Sequence, residues 1–269
     1  MRVELFGLPV DILTHRETVD RILSAIAQRQ RCQHVALNVA KLVNARANAE
    51  LERDIRDSDI IGIDGAGILL ALRLLGHDVP HRVAGIDLFG SLIAECAARG
   101  LKPYLLGATP AVLTDAQRAL SHLYPNLVFA GSRNGYFGSD EEAAVCEQIR
   151  SSAADCLFIA MPTPRKERFM RRHRDALGIP FVMGIGGTLD VIAGRVRRAP
   201  LALQRAGLEW AYRMVQEPLR LGGRYLHTNA VFAALLAGHL LGRWARFSGA
   251  SIERVPKAPG AGTASSDRR

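Results

Sequence analysis

The stretch Phe181-Val-Met-Gly-Ile-Gly-Gly-Thr-Leu-Asp190 joins an apolar run of strand length to a glycine-rich turn and the start of a helix. Its glycines leave backbone N–H groups and a helix N-terminus open to an anion, which predicts a diphosphate cradle at Gly184, Gly186 and Gly187. Close packing of a strand on a helix is the alternative explanation for these glycines. The turn is not a dinucleotide-binding fingerprint, because residue 189 is leucine, and it lacks the Lys-Ser/Thr pair of a P-loop.

Outward from this stretch, apolar runs of strand length alternate with helical stretches. The predicted strands are residues 34–37, 59–63, 103–106, 127–130, 156–160 and 180–185. The predicted helices are residues 39–57, 86–99, 110–123, 140–152, 164–177 and 189–194. This alternation predicts an α/β fold with a mainly parallel, Rossmann-like sheet and flanking helices. Ligands of such sheets bind beyond the carboxyl ends of the strands, so the strand-to-helix turns are the candidate sites.

The positive charge of the chain is confined to its last part. The net charge is +9, yet residues 1–194 hold 22 Lys/Arg and 22 Asp/Glu, whereas residues 195–269 hold 13 and 4. From about residue 199 the pattern changes to helices alone, and after residue 247 small residues dominate. We therefore expect an α/β catalytic body at 1–198, a basic helical appendage that associates with a membrane at 199–247, and a disordered tail at 248–269.

The cysteine spacing, the amino terminus and the Asp-x-Asp pattern predict where the protein lies and whether it binds a metal or cofactor. The four cysteines are far apart and have no metal-ligand spacing, which is typical of buried thiols in a reducing cytoplasm. The amino terminus has no apolar run of signal-peptide length, and the stretch 230–242 is shorter than the ~20 residues of a membrane span. The pattern Asp57-Ser58-Asp59 precedes a strand instead of following one, so we predict no metal and no cofactor. We expect a cytoplasmic protein that associates peripherally with the inner face of the plasma membrane.

Two charged residues follow predicted strands at positions suited to catalysis. Asp64 ends the run 59–63, where partial desolvation raises the pKa of a carboxyl group toward that of a general base; a turn or helix cap is the alternative. Arg82 has the planar fork that binds phosphate oxygens; a surface ion pair with Asp87 is the alternative explanation. Asp190 is placed to accept hydrogen bonds from a ribose or base. The alternative is an acidic residue in the first turn of a helix, where the helix dipole favours negative charge.

Further charges cluster at two predicted helices. Arg165, Lys166 and Glu167 open the predicted helix 164–177, where two cations oppose the helix dipole and are explained by an anionic ligand or by solvation. Downstream, charged residues three or four positions apart line one helical face: Arg205, Glu209, Arg213, Glu217, Arg220 and Arg224. Arginines outnumber glutamates there and aromatic residues lie nearby, a composition typical of a membrane-interface segment, in which each basic residue contributes about 1 kcal/mol.

These motifs, in this order, resemble the WecG/TagA/CpsF family of bacterial glycosyltransferases to about residue 247. The most specific match comprises Gly184-x-Gly-Gly-x-x-Asp190, Arg198-Ala-Pro200, Gly207-Leu-Glu-Trp210, Arg213, Glu217-Pro-x-Arg220 and Arg224-Tyr225. The resemblance implies an inverting, metal-independent enzyme of polysaccharide biosynthesis. It would move a sugar from a UDP-sugar to a sugar on a polyprenyl diphosphate, such as undecaprenyl diphosphate. The donor sugar stays open between N-acetylmannosamine, its uronic acid and glucose.

The resemblance also implies roles for individual residues. Asp64 matches the proposed general base of the family, and Asn38 and Arg82 match other active-site positions. Lys166 occupies a further active-site position, where many members have glutamine. Tyr136 and Asp190 match nucleotide contacts of the family. With Gly184, Gly186, Gly187, Arg165 and Glu167, which the turn and helix patterns indicate, they form the predicted substrate-binding set. The membrane-targeting appendage, which helps to complete the site, corresponds to Arg213, Arg220 and Arg224.

The chain departs from the family pattern at three positions, where it has Ala36 for threonine, Lys166 for glutamine and Leu189 for an aromatic residue. The cation at 166 leaves the identity of the donor open. Two other hypotheses are a nucleotide-dependent Rossmann oxidoreductase, which the missing fingerprint disfavours, and a non-enzymatic basic adaptor for membrane or nucleic acid. We favour the glycosyltransferase, expect no nucleic-acid partner, and leave self-association into a homo-oligomer open.

Overall fold

A single mixed sheet organises the chain. The computed structural model describes residues 1–249, without the side chains of residues 220 and 243–249; the tail predicted at 248–269 thus lies, from residue 250 onward, outside the described residues. The strands are β1 (Arg2–Leu5), β2 (Leu8–Asp11), β3 (Cys32–Leu37), β4 (Ile60–Ile63), β5 (Pro103–Gly107), β6 (Gly131–Arg133), β7 (Cys156–Ala160) and β8 (Phe181–Gly184). Their order is β1-β2-β4-β3-β8-β7-β5-β6, and only the β1–β2 pair is antiparallel. The predicted α/β class and mainly parallel sheet are confirmed.

Helices connect these strands. Those of the α/β part are α1 (His15–Ala27), α2 (Val39–Ala47), α3 (Ala49–Arg56), α4 (Ala66–Leu74), α5 (Gly85–Arg99), α6 (Pro110–Leu123), α7 (Glu142–Ser151), α8 (Arg165–Arg172) and α9 (Thr188–Ile192). Their starts follow capping chemistry. Thr14 and Glu17 form a capping box at α1, and Pro110 occupies the first turn of α6 after the cap Thr109.

Alternate residues of the strands enter two separate cores, one on each face of the sheet. In β7, Leu157 and Ile159 belong to the core formed with α2, α3 and α8, whereas Cys156 and Phe158 belong to the core formed with α1, α5 and α6. All residues of β3, β5, β7 and β8 are buried, as expected for strands covered by helices on both faces.

Several predicted boundaries were wrong. The strand predicted at 127–130 lies at Gly131–Arg133, where Gly131 pairs with Tyr104 and a Cβ would approach the Tyr104 ring to 2.7 Å. The helix predicted at 39–57 divides at Asn48, which ends α2 and caps α3 through its side chain. The strands β1 and β2, of four residues each, and the helix α1 were not predicted, although Val19, Ile22 and Ile26 of α1 have helical spacing.

The C-terminal segment is helical and packs on the α/β part. It comprises α10 (Leu201–Arg205), α11 (Glu209–Gln216) and α12 (Pro218–Gly249). Helix α12 packs against α2 and α11, and the ring of its buried Phe232 meets Phe6 edge to face at a centroid distance of 5.7 Å. At the other end of the segment, Gly207 lies against Ala66, since a Cβ on Gly207 would approach the Ala66 Cβ to 2.6 Å. These contacts place the segment beside the carboxyl edge of the sheet.

Candidate active site

The carboxyl ends of the parallel strands bring the predicted site residues to one edge of the sheet. Asn38 follows β3, Asp64 follows β4, the glycine turn follows β8, and Lys166 lies shortly after β7. β3 and β8 are neighbours, yet α2 after β3 packs into one core and α9 after β8 into the other. Such a divergence opens a crevice between two neighbouring strand ends, where α/β sheets bind ligands.

Asp64 is held at the mouth of this crevice by the start of α5. Its Oδ1 accepts a hydrogen bond of 2.8 Å from the Gly85 N–H, and its own N–H donates to Leu37 O at 3.0 Å. Burial raises the pKa of the Asp64 carboxyl group, and the Gly85 N–H, the Arg82 charge and the Lys41 charge oppose that shift without cancelling it. A carboxylate with a raised pKa takes up a proton more readily, as a general base must.

Asn38 lies directly beside the turn that carries Asp64. Its Oδ1 caps α2 by accepting a bond of 3.0 Å from the Lys41 N–H. A Cβ on Gly65 would lie 3.2 Å from the Asn38 Cα and Cβ, so the two turns are in close contact. Within residues 1–249 the side-chain amide nitrogen of Asn38 makes no hydrogen bond, which leaves a donor for a ligand.

Arg82 connects the Asp64 turn to the C-terminal segment. Its guanidinium donates to the Asp64 carbonyl oxygen at 3.2 Å and to Gln204 O at 3.3 Å, and forms an ion pair with Glu209 of α11. The Glu209 carboxylate also lies 3.6 Å from Arg198, which pairs with Asp87. The alternative pairing of Arg82 with Asp87 is therefore wrong, because Asp87 is taken by Arg198.

The glycine turn is covered by an arginine of α11. Gly186 has a φ of +54°, in the left-handed region that favours glycine. A side chain at Gly187 would collide with the guanidinium of Arg213, and it would lie 3.4 Å from Asp190 Oδ2. The Arg213 side chain forms no ion pair with any described residue. The turn thus combines backbone N–H groups with a guanidinium that is in no ion pair among the described residues, a combination suited to phosphate.

Lys166 lies on the opposite side of this turn in a buried ionic cluster. A Cβ on Gly184 would lie 3.0 Å from Lys166 Cδ, so the lysine stem follows the end of β8. Lys166 Nζ is 3.0 Å from Glu167 Oε1 and bonds to the Thr163 hydroxyl, while Lys41 Nζ is 2.9 Å from the same Glu167 oxygen. Burial lowers the pKa of Lys166 to about 8, and the Lys41 charge adds to this effect.

Glu167 stays ionised inside this cluster. Its burial alone would raise its pKa, but the charges of Lys41 and Lys166 outweigh burial and lower the pKa to about 2. The carboxylate has no exposed surface, so it contacts the two lysines and Thr163 instead of the open crevice.

Arg165 and Tyr136 lie further along the same edge. Arg165 donates to the Gly135 carbonyl at 2.9 Å and to the Phe137 carbonyl, and its guanidinium stacks 4.5 Å from the centroid of the Phe137 ring. These bonds fix the loop after β6 that presents Tyr136, whose side chain is 73% exposed. Arg165 therefore holds the Tyr136 loop in place.

A family comparison now decides the class of the protein. The model of the family "Glycosyl transferase WecG/TagA/CpsF" matches residues 3–246, nearly the whole chain. The chain belongs to the WecG/TagA/CpsF glycosyltransferase family. It is therefore an enzyme that transfers a glycosyl group, which decides against the oxidoreductase and the non-enzymatic adaptor. The family implies, in general, a nucleotide-sugar donor and a lipid-linked acceptor.

The three C-terminal arginines of this glycosyltransferase differ in their positions. Arg213 reaches the glycine turn, whereas Arg224 is exposed, stacks 5.2 Å from the Tyr225 ring, and contributes to lowering the Lys166 pKa. Arg220 lies on α12, and its side chain is outside the described residues.

Two site residues were not identified from the sequence. Lys41 lies within the predicted helix 39–57, and its position on the buried face of α2 is the signal that indicates its role. Glu209 was noted only as part of the arginine stripe, because its partner Arg82 is 127 positions away in the chain.

Two further findings concern metal and membrane. Within residues 1–249, no group of three or more His, Cys, Asp or Glu side chains has the arrangement to hold a metal ion. None of the helices searched in that part of the chain combines the length and apolarity that crossing a membrane requires.

Proposed function

We propose that this glycosyltransferase moves a sugar from a UDP-sugar to a sugar carried on a polyprenyl diphosphate, with inversion and without a metal, at the inner surface of the membrane. The observation that carries the proposal is the juxtaposition of Asp64 with the glycine turn beneath the unpaired Arg213, at one crevice of the sheet. Asp64 is suited to removing a proton, and the glycine turn with Arg213 is suited to binding a diphosphate leaving group.

Asp64 takes the proton in a single displacement. The acceptor hydroxyl oxygen forms a bond to the anomeric carbon as the bond from that carbon to the UDP oxygen breaks, and the hydroxyl proton passes to Asp64. Oδ1 keeps its bond to the Gly85 N–H, while no described protein donor bonds to Oδ2. Attack on the face opposite the leaving group inverts the anomeric configuration. Asn38, whose amide is unoccupied, orients a substrate oxygen beside this carboxylate.

The turn after β8 stabilises the UDP that leaves. The departing diphosphate gains negative charge, and backbone N–H groups at the start of α9 together with Arg213 oppose that charge. Arg82 steadies the Asp64 turn and α11 simultaneously through its bonds to Asp64 O and Glu209. The nucleoside extends toward Asp190 and the exposed Tyr136 ring.

The C-terminal helices form the surface of the protein that binds the membrane. One face of α12 packs on the α/β part, whereas its opposite face exposes apolar side chains seven or more residues apart, including Leu219, Leu226 and Leu241. On α11, Val215 and Trp210 are also exposed. Exposed apolar residues interspersed with arginines fit an anionic leaflet, where the lipid-linked acceptor would lie. The alternative is that this face binds a second copy of the protein. A measurement of the size of the protein in solution distinguishes the two.

The substitution Asp64→Asn tests the reaction. We expect sugar transfer to fall about 100- to 10,000-fold, the usual contribution of a general base, while UDP affinity stays unchanged. The measurement is product formation on a short-chain prenyl-diphosphate sugar, with UDP binding measured by calorimetry. Asp20→Asn, an exposed aspartate on α1, is the matched control. Full activity of Asp64→Asn would remove Asp64 from the mechanism.

The pH dependence of transfer has a defined sign. Since burial raises the Asp64 pKa, the acid limb of kcat should lie above the pH range in which an ordinary aspartate ionises. Activity rises with pH through that limb, because the base must be deprotonated. An acid limb in the ordinary aspartate range, or none, would contradict the assignment.

A further inference from the structure

The ionic cluster beside the glycine turn carries an unbalanced positive charge. Lys41 and Lys166 both contact the single carboxylate oxygen Glu167 Oε1, at 2.9 and 3.0 Å. Each lysine side chain is 7% exposed, and the Glu167 side chain has no exposed surface. Two cations therefore contact one carboxylate in the interior, while the Lys41 charge also acts on the Asp64 carboxyl group. Arg224 on α12 adds a third cation close enough to lower the Lys166 pKa.

Such an arrangement is costly without a further anion. A buried charge is tolerated when it is paired and hydrogen-bonded, and the cost of desolvation is greatest when pairing is incomplete. Lys41 Nζ also donates to Ala36 O at 2.8 Å, and Lys166 Nζ bonds to the Thr163 hydroxyl. An ammonium group has three donors, so each lysine keeps one donor unassigned within the described residues.

We propose that Lys41 and Lys166, joined by Glu167, form an anion subsite next to the glycine turn that binds a negatively charged group of the donor, a phosphate or a sugar carboxylate. This inference rests on the proposed function, since it assigns a part of the donor site. Lys166 is the contacting residue, because its stem lies along Gly184 at the start of the turn. Lys41 is a positioning residue that sets the charge of the cluster, and Glu167 holds both ammonium groups.

The charge state of Lys166 governs this subsite. The charged groups that face it are Glu167 on its own helix, Lys41 from α2 and Arg224 from α12. Burial, assisted by the two cations, lowers its pKa to about 8. Above that pH the ammonium loses its proton and the subsite loses a charge. A bound anion favours the protonated form, so binding above pH 8 takes up a proton.

The first experiment compares the binding of uridine, UDP, UDP-glucose and UDP-glucuronate by calorimetry to wild type and Lys166→Gln. We expect roughly 10- to 100-fold weaker binding to the variant for the ligands that fill the subsite, and unchanged uridine binding. Equal losses for all three diphosphates identify a phosphate as the occupant. A loss confined to UDP-glucuronate identifies a sugar carboxylate. Unchanged affinity for every diphosphate would overturn the subsite while leaving the proposed function intact.

A second variant separates a charge effect from misfolding. In Lys41→Gln the repulsion on Lys166 is removed, so the pH above which UDP affinity declines should move upward from about 8. A purely structural role of Lys41 would weaken binding without moving that midpoint, which would contradict the assignment. Calorimetry at pH 8.5 in buffers of different ionisation enthalpy should detect proton uptake by wild type and none by Lys166→Gln.

The matched control is Arg168→Gln on the same helix, which removes a cation that pairs with Glu50 outside the crevice. Its UDP affinity and pH profile should equal those of wild type; a loss equal to that of Lys166→Gln would show that any cation of α8 has this effect and overturn the subsite. Failure of wild type to bind any uridine nucleotide would instead overturn the proposed donor, and the subsite with it.

Discussion

The α/β part and the C-terminal helices differ in how many of their side chains are buried. In the α/β part, strands such as β3 and β7 are buried along their whole length between two apolar cores. By contrast, α10 and α11 have no buried residue. Helix α12 buries only a few side chains, among them Leu221 and Phe232. Asp64, the proposed base, therefore follows a fully buried strand, whereas Arg213 reaches the glycine turn from a helix with no buried residue.

The attachment of α11 to the Asp64 turn is polar. Arg82 and Glu209 form a partly exposed ion pair, and such pairs contribute about 1 kcal/mol or less, whereas burial of one large apolar side chain contributes about 1.5–3 kcal/mol. Separation of α11 from the crevice therefore costs less than separation of α12, whose Leu221 and Phe232 are buried. Under the proposed membrane association, a position of α11 that the membrane favours would bias how often Arg213 covers the glycine turn.

The largest expected contrast between the two regions is the change in the free energy of unfolding when one methyl group is added to each. Gly107 has a φ of +121°, and a Cβ there would collide with the backbone of Ala160, so Gly107→Ala should destabilise the fold by about 3 kcal/mol or more. Gly222 lies within α12 with open space around it, so Gly222→Ala should instead stabilise the helix by up to about 1 kcal/mol. Chemical denaturation of both variants measures the contrast. Equal destabilisation would show that α12 is packed as tightly as the sheet.

A smaller effect should follow from cutting the polar link. Glu209→Gln removes the charge that holds Arg82 and Arg198, so we expect kcat to fall about tenfold with an unchanged midpoint of unfolding. The control is Glu95→Gln, which breaks the exposed pair with Arg99 on α5. A lowered unfolding midpoint for Glu209→Gln would mean that α11 belongs to the cooperative core.

The smallest effect concerns the exposed face of α12. Leu219→Gln and Leu226→Gln remove apolar side chains that are 102% and 75% exposed, so binding to anionic vesicles should weaken several-fold for each, about 1 kcal/mol, without loss of stability. Leu123→Gln, which changes a 65% exposed leucine on α6, is the control. Unchanged vesicle binding together with a smaller size in solution would assign this face to self-association.

The site was predictable where residues lie close in sequence. The turn at 184–190 and the position of Asp64 after an apolar strand follow from local pattern, because strand and turn propensities act over a few residues. The strand β6 was misplaced, since its position depends on the pairing of Gly131 with Tyr104 across the sheet. Register of this kind is a tertiary property that local hydrophobicity does not encode.

By itself, the sequence determined the α/β class, the neutral body with a basic end, and the family, because these depend on composition, short periodicities and motifs. Only the tertiary structure decided which charges meet: Arg82 with Glu209 instead of Asp87, Arg213 over Gly187, and Lys41 with Lys166 on one carboxylate. The physical reason is that electrostatic interactions depend on distance and burial in space, and both are set by how distant segments pack together.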